Sequence, residues 1–333
     1  MAENKLCLDI KNLSVEYRTS DGITKAINGV DLQIEKGKTL CLVGETGAGK
    51  TTTALSILNL IPNPPGVITG GSIILEGKNV FDYSEKELET IRGNQVSMIF
   101  QDPMTSLNPV MTVGEQIAEV IQLHEDIDKA GASEKAKEML EMVGIPGNRA
   151  DEYPHQFSGG MKQRVIIAMA LVCNPQLLIA DEPTTALDVT IQAQVLDLMK
   201  NLKEKYNTSM LMITHDLGIV AEVGDEVSIM YAGRIVEHGT LEDIFEATAH
   251  PYTEGLFGSL PNIENRTARL NPIPGLMPDP TNLPSGCPFH PRCKYAAEAC
   301  AKRLPIKTQL SDTHSVCCLA YEKGTGVKIG GDN

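Results

Sequence analysis

The 333-residue sequence has no apolar run approaching the ~18 residues of a spanning helix; the longest, such as Val165–Cys173, are of core-helix or strand length. It also lacks an excess of positive charge, with 29 basic residues against 43 acidic ones and a net charge of −14. That balance argues against a nucleic acid or an anionic membrane as a partner held by bulk charge. Residues Met1–Leu13 mix charged and apolar side chains and hold no apolar stretch of the signal-peptide kind. There is no internal repeat and no low-complexity tract. The expectation is a soluble, cytoplasmic chain that reaches any membrane through a partner.

Apolar residues make up 42% of the chain, enough to bury a sizeable core. The length suits about two units, or one large α/β domain with an appendage. Ten of the 19 prolines lie in Pro251–Pro305, and five of the eight cysteines lie in Cys287–Cys318. The first 250 residues carry −16 and the remainder +2. A boundary near His250 follows, with residues 324–333 as a frayed polar end.

Hydrophobic periodicity predicts strands over 6–17, Val30–Ile34, Thr39–Val43, Gly70–Leu75, Val96–Phe100, Gln176–Ala180, Met210–Thr214 and Val227–Tyr231. Helices are expected at Lys50–Leu60, near 189–205 and near 216–223. Between about 112 and 172 the spacing is helical, as in Glu134–Val143. Strands alternating with helices indicate an α/β sheet with a parallel core and a helical insertion.

Gly44, Glu45, Thr46, Gly47, Ala48, Gly49, Lys50 and Thr51 fit the phosphate-loop pattern G-x-x-x-x-G-K-[ST] between a strand and a helix, with Thr52 following. The glycines let consecutive N–H groups turn toward phosphate oxygens. The helix N-terminus adds its dipole. Lys50 offers a point charge to the β and γ phosphates, and the Thr51 hydroxyl is placed to ligate Mg²⁺. Downstream, Leu177–Ala180 is a buried strand with Asp181 and Glu182 at its C-terminal end, where open α/β sheets bind ligands. Asp181 would hold Mg²⁺ through water, and Glu182 could polarise the attacking water or take its proton. On their own the two carboxylates would equally suit a helix N-cap and first turn.

With both motifs in place, the chain resembles the ATP-binding-cassette (ABC) ATPases over residues 5–250. Phe157-Ser158-Gly159-Gly160-Met161-Lys162-Gln163-Arg164 is similar to the family signature LSGGQxQR, departing at Phe157 and Met161. The resemblance implies a RecA-like core, an antiparallel β subdomain and a helical subdomain at about 102–172. It implies a signature turn, Ser158 to Met161, that serves the ATP held by a second ATPase subunit. Tyr17 resembles the aromatic that stacks on adenine, Gln101 the loop glutamine that reaches Mg²⁺, and His215 the switch histidine that holds water against Glu182. Ala186, Leu187 and Asp188 resemble the loop that crosses the dimer interface.

The tail narrows the branch. His250-Pro251-Tyr252-Thr253, Leu256, Ser259-Leu-Pro261, Thr105–Pro109 and Pro272–Gly275 resemble ATP-binding subunits of dipeptide and oligopeptide importers. Nickel importers share the branch, so the solute stays open. The implied partners are a like or related ATPase subunit, two transmembrane permeases and, indirectly, a binding protein, with the chain peripheral on the cytoplasmic face. A soluble cassette protein of DNA repair or translation is the rival reading.

Cys287, Cys293, Cys300, Cys317 and Cys318 put five thiols within 32 residues. In a cytosolic chain such a cluster suits a metal or cofactor better than disulfides. Zinc sites prefer closer pairs, although His290 and His314 are extra candidates. Four thiolates suit an iron–sulfur cluster. Some members of this branch carry a 4Fe-4S cluster at similar spacing, which implies Cys287, Cys293, Cys300 and Cys318 as ligands and Cys317 as spare. Arg292, Lys294, Lys302 and Arg303 would help offset an anionic cluster. Cys7, Cys41 and Cys173 read as core thiols.

Overall fold

A computed structural model describes residues 5–101, 106–185, 187–259 and 272–329. Among these, two sheets organise the molecule. The first contains β1 (Leu6–Thr19), β2 (Gly22–Glu35), β4 (Gly66–Leu75) and β5 (Lys78–Asn79), all antiparallel in the order β2-β1-β4-β5. Besides Cys7, buried apolar residues on β1 fall at Leu8 and Ile10, then at Leu13 and Val15. The two-residue period breaks between Ile10 and Leu13, where Asn12 adopts a φ of 48° and the register slips. The bulge restores inward pointing for the second half of the strand. Gly71 faces it at a φ of 93°, where an added Cβ would stand 2.6 Å from the Leu13 Cα.

The second sheet is the core. β3 (Thr39–Val43), β6 (Val96–Ile99), β7 (Leu177–Asp181), β8 (Ser209–Thr214) and β9 (Glu226–Tyr231) lie parallel in the order β9-β3-β8-β7-β6. Every residue of β3, β7 and β8 is buried, as expected of parallel strands covered on both faces. α1 (Lys50–Ile57) follows β3, and α2 (Glu85–Ile91) begins at a capping box between Ser84 and Glu87. Polar residues dominate α2 (EKELETI), so apolar periodicity left it unseen.

The insertion is helical. α3 (Val113–His124) buries Val113, Ile117 and Ile121, one stripe four residues apart. Thr112 and Glu115 close a capping box at its start, worth ~1 kcal/mol. α4 (Lys129–Met142) is capped by Asp128, and α5 (Gly159–Leu171) by Ser158. α6 (Val189–Tyr206) and α7 (Leu217–Val223) flank β8 in sequence, close to their expected spans.

The compositional boundary near His250 is not a break in packing. β10 (Arg234–Thr240) pairs antiparallel with β9 and also with β12 (Ser315–Val316), which pairs with β11 (Thr308–Gln309). The tail thus extends the core sheet. α8 (Leu241–Glu246) and α9 (Pro251–Gly258) lead into it, and α10 (Glu298–Lys302) carries Cys300. Tyr252 and Phe289 are buried in the main core. The frayed end expected at 324–333 is corrected in part. Val327 is buried against Cys300 and Leu319, and the Thr325 hydroxyl donates to the Leu319 carbonyl at 2.6 Å. Residues 330–333 lie outside the described residues. So do Ala186, Thr105 and Pro261. Of the three expected core thiols, Cys7 and Cys41 are fully buried, whereas Cys173 is half-buried.

Candidate active site

The phosphate loop runs from the end of β3 to the start of α1. Gly47 and Gly49 take φ values of 84° and 110°, conformations that exclude an L side chain without strain. Gly44 is required by proximity instead: a Cβ there would lie 2.3 Å from the Met230 carbonyl oxygen. Lys50 is buried, and its ammonium donates to the carbonyls of Gly44 at 2.7 Å and Glu45 at 3.1 Å. Burial lowers its pKa, opposed by the carboxylates of Glu182, Asp181 and Glu45.

Asp181 ends β7 and is 2% exposed; the Thr51 hydroxyl donates to it at 2.8 Å. Burial raises the Asp181 pKa, with the Thr51 bond and the Lys50 charge pulling the other way. A desolvated carboxylate beside a hydroxyl is the oxygen donor set that a hard divalent cation takes. Asp181 at the end of β7 and Thr51 at the start of α1, two of the three residues expected for Mg²⁺, therefore meet.

Glu182 turns out of the strand at a φ of 48°, a left-handed conformation costing ~1 kcal/mol or more for a non-glycine residue. Its N–H is held by the Ile213 carbonyl at 2.9 Å. Three side chains converge on its carboxylate. Gln101 Nε2 donates at 3.0 Å, the Thr185 hydroxyl at 3.1 Å, and His215 Nδ1 stands at 3.0 Å. Burial pushes the Glu182 carboxyl up. The His215 bond and charge, the Thr185 bond and the Lys50 charge together outweigh it and hold the pKa below the ordinary value. Glu182 is thus an ionised acceptor, oriented on two sides. Gln101 meets Glu182 here, not the Asp181–Thr51 pair where its expected Mg²⁺ role would put it.

The remaining expected residues stand elsewhere. Tyr17 sits half-buried on β1, paired with Thr24 of β2 and Gly66 of β4. Ser158 accepts from the Met161 N–H at 3.4 Å, capping α5. Asp188 accepts from the Ile191 N–H at 3.0 Å, capping α6. Leu187 lies beside Gly159, whose added Cβ would meet its Cδ2 at 3.9 Å. Among the described residues no hydrogen bond joins Ser158, Gly159, Gly160 or Met161 to the phosphate loop.

The family profile for ABC transporters matches residues 27–185, and the profile of the oligopeptide/dipeptide transporter C-terminal region matches residues 236–300. The oligopeptide transport ATP-binding protein OppD of Bacillus subtilis (strain 168) is 53% identical over 312 residues, covering 93% of this chain and 87% of its own. This chain belongs to the ATP-binding proteins of the oligopeptide/dipeptide ABC transporter family. The dipeptide transport ATP-binding protein DppD of the same organism is 48% identical over 328 residues, 98% of each chain. Among solved structures, the ATP-binding cassette MJ0796, a dimer in a post-hydrolysis state bound to ADP and Pi, is 28% identical with a TM-score of 0.63. It covers 70% of this chain and 98% of its own. The chain is an ATPase of a transport family, and the fact that both profiles and both relatives are of transport proteins sets aside the rival reading in DNA repair or translation. Among the described residues no helix is long and apolar enough to cross a membrane.

The tail holds a second constellation. Cys287, Cys293, Cys300 and Cys318 line one small cavity with Phe289, Leu319 and Val327. Cys317 instead lines a different cavity, between the antiparallel sheet and β10. Burial pushes the Cys287 thiol up to about 12 and the Cys318 thiol up to about 11, reinforced by the neighbouring cysteines. All eight cysteines are unbridged. Among the described residues no three His, Cys, Asp or Glu side chains form a group that could hold a single metal ion. Of the two extra candidates, His290 lines the thiol cavity, whereas His314 is bound to Glu237 at 2.9 Å. The four cations expected to offset a cluster are each committed to a carboxylate: Arg292 to Glu45, Lys294 to Glu254, Lys302 to Glu298 and Arg303 to Glu322. Thr185 was missed by sequence reasoning; only its place three residues after Glu182 hinted at a role.

Proposed function

We propose that this ATPase powers import of dipeptides or oligopeptides through a membrane transporter, by water attack on ATP oriented by Glu182. The observation that carries the chemistry is the Glu182 carboxylate, ionised and held by Gln101, Thr185 and His215, one residue past the Asp181–Thr51 pair. Asp181 and Thr51 would hold Mg²⁺, joined by Gln101 if its amide leaves Glu182. Bound Mg²⁺ would neutralise charge on the β and γ phosphates. Lys50, held on the Gly44 and Glu45 carbonyls inside the loop, would offer its charge to the phosphates. Glu182 accepts the proton of the attacking water, and His215 fixes the carboxylate that does so. Tyr17 is assigned to the adenine face.

Two subunits sandwich the nucleotide, each supplying Ser158, Gly159, Gly160 and Met161 to its partner's site. Leu187 lies beside that turn, and it and Asp188 would follow the interface. The absence, among the described residues, of any hydrogen bond from that turn to its own phosphate loop supports this reading. The partner is either a copy or a related ATPase. Two permease subunits receive the motion, and the chain lies on the cytoplasmic face. The cassette spans residues 5–250 and the extension 251–323. Steady-state ATP hydrolysis in liposomes bearing the whole transporter tests the assignment. Peptide uptake that follows hydrolysis supports the substrate, and strict dependence on nickel would replace it.

In the extension, four thiols and no fifth around one apolar-walled cavity favour a 4Fe-4S cluster held by Cys287, Cys293, Cys300 and Cys318. The four ligands of one zinc ion must converge within about 4 Å of each other, given Zn–S near 2.3 Å. A cluster spreads its ligands over four irons, matching thiols that share a cavity without forming a single-ion site. Such a cluster would tie the two ends of the extension together. Iron and sulfide analysis of anaerobically purified protein tests it. Stoichiometric zinc without iron would sink it.

A further inference from the structure

Tyr252 of the His250–Thr253 motif and Arg292 converge on one residue of the phosphate loop. Glu45 has each of its hydrogen-bonding groups engaged. Its N–H donates to the Tyr252 hydroxyl oxygen at 2.9 Å. Its carbonyl accepts from Lys50 at 3.1 Å. Its carboxylate receives both terminal nitrogens of Arg292, at 2.9 and 3.2 Å. Two of these three partners belong to the extension.

Both grips are built, not incidental. The Arg292 side chain is 7% exposed, and its Nε donates to the Pro274 carbonyl at 2.9 Å. Its fork geometry matches a carboxylate in two parallel bonds, which a lysine could not reproduce. Tyr252 is fully buried, with its ring 4.6 Å from that of Tyr231 and 5.4 Å from that of Phe289. Its backbone is fixed in turn. Tyr252 N–H donates to His250 Nδ1 at 3.0 Å, and the Ala249 and His250 amides donate to the buried Glu237 carboxylate at 2.6 and 3.0 Å. A chain of satisfied buried polar groups therefore runs from the core sheet to the phosphate loop.

We infer that Arg292 and Tyr252 are positioning residues for the ATPase: they fix Glu45, and through it the phosphate loop, before nucleotide arrives. The Glu45 amide is withheld from phosphate by Tyr252, and the Ala48 amide closes the turn on the Glu45 carbonyl at 3.1 Å, so fixing Glu45 fixes the loop around it. A loop already in its bound shape loses less conformational freedom on binding, so the clamp raises nucleotide affinity. The same segment carries Cys287 and Cys293, so whatever orders the thiol site also orders this clamp. The inference rests on the phosphate loop being the nucleotide site.

The test is calorimetric titration of the purified full-length chain with MgADP, paired with thermal unfolding. Arg292→Ala and Glu45→Gln should each raise the Kd about five- to tenfold, the lower range for coupling between sites. The double variant should be no worse than either single one, because both remove the same interaction. Arg292→Lys should recover only part of the loss. Tyr252→Phe, which deletes one hydroxyl, should weaken binding with little change in unfolding temperature. If Arg292→Ala fails to fold, Glu45→Gln and Tyr252→Phe carry the test. Kd values within twofold of wild type for these variants, or strictly additive effects in the cycle, overturn the inference. Lys50→Ala separates the two claims. If it leaves MgADP affinity intact, the loop is not the nucleotide site. If it abolishes binding while the clamp variants bind normally, only the clamp is wrong.

Discussion

Replacing Glu182 with glutamine changes one charge and almost no shape. The three contacts at 3.0, 3.1 and 3.0 Å all have counterparts in the variant. The amide oxygen can accept from Gln101 and Thr185, and the amide nitrogen can donate to His215 Nδ1 if that ring changes tautomer. The left-handed backbone at this position is no worse for Gln than for Glu. Stability should therefore change by less than ~1 kcal/mol, the scale of converting charged hydrogen bonds to neutral ones. What disappears is basicity toward the attacking water. A positioned general base contributes about 10²–10⁴ in rate, or roughly 3–5 kcal/mol of barrier. The assay is phosphate release by the reconstituted transporter, with nucleotide binding measured in parallel. Hydrolysis should fall by about 10²–10⁴ while nucleotide affinity stays within about threefold. An Glu182→Gln transporter that keeps more than a third of its hydrolysis rate would refute the role given to Glu182 and to the residues that orient it.

Three further outcomes are expected. Cys318→Ser should lose any bound iron and sulfide, with loss of visible absorbance, whereas Cys317→Ser should keep both, because Cys317 faces another cavity; equal loss in the two variants would contradict the ligand assignment. Gly160→Ala should destabilise the fold by about 1–3 kcal/mol in urea unfolding, since its Cβ would meet Ile191 Cγ2 at 2.4 Å, while Gly159→Ala, with nothing nearer than 3.9 Å, should fold normally yet impair hydrolysis in the paired subunits. Urea midpoints should fall as pH drops below about 6.5, because burial lowers the His250 pKa to about 3 and the His238 pKa to about 4. Both histidines are neutral in either state at high pH; below their unfolded pKa the unfolded chain binds protons that the folded chain refuses, so stability is lost progressively toward the folded pKa, at up to ~1.4 kcal/mol per pH unit for each. His250→Gln should flatten that slope; an unchanged slope would refute the attribution to His250.

Much of the cassette was legible because its signals are local. β3, β7 and β8 are short runs with every residue buried, so they read as apolar stretches bounded by turns. Asp181 and Glu182 sit at the end of β7, and Lys50 and Thr51 at the start of α1 just past the loop after β3, where spacing alone marks them. Elements without an apolar period went unseen: α2, with its charged exposed face, and β10, whose sequence RIVEHGT mixes polar and apolar residues. β2 was read only from Val30, because Gly22–Gly29 is polar and glycine-bearing; its pairing with β1 is what makes it a strand.

Charge assignments in the tail were the least legible. Arg292 looked like a neighbour of the thiols because it precedes Cys293, yet it reaches a carboxylate 247 positions away. No periodicity reports such a contact, since it depends on the extension folding back across β9. The same holds for Cys317 and Cys318, adjacent in sequence but opposite in facing because successive residues of an extended chain alternate sides. The uneven cysteines and the missing membrane span are properties of the sequence by itself, and so are the phosphate loop and its paired carboxylates. The loop and the carboxylates were legible as a candidate nucleotide site, because each requires only residue type and short spacing. Only the tertiary structure decided which side chains meet: Gln101, Thr185 and His215 on Glu182, four of five tail thiols on one cavity, and the extension on Glu45. Those meetings depend on strand order and burial, which are set by packing the whole chain at once.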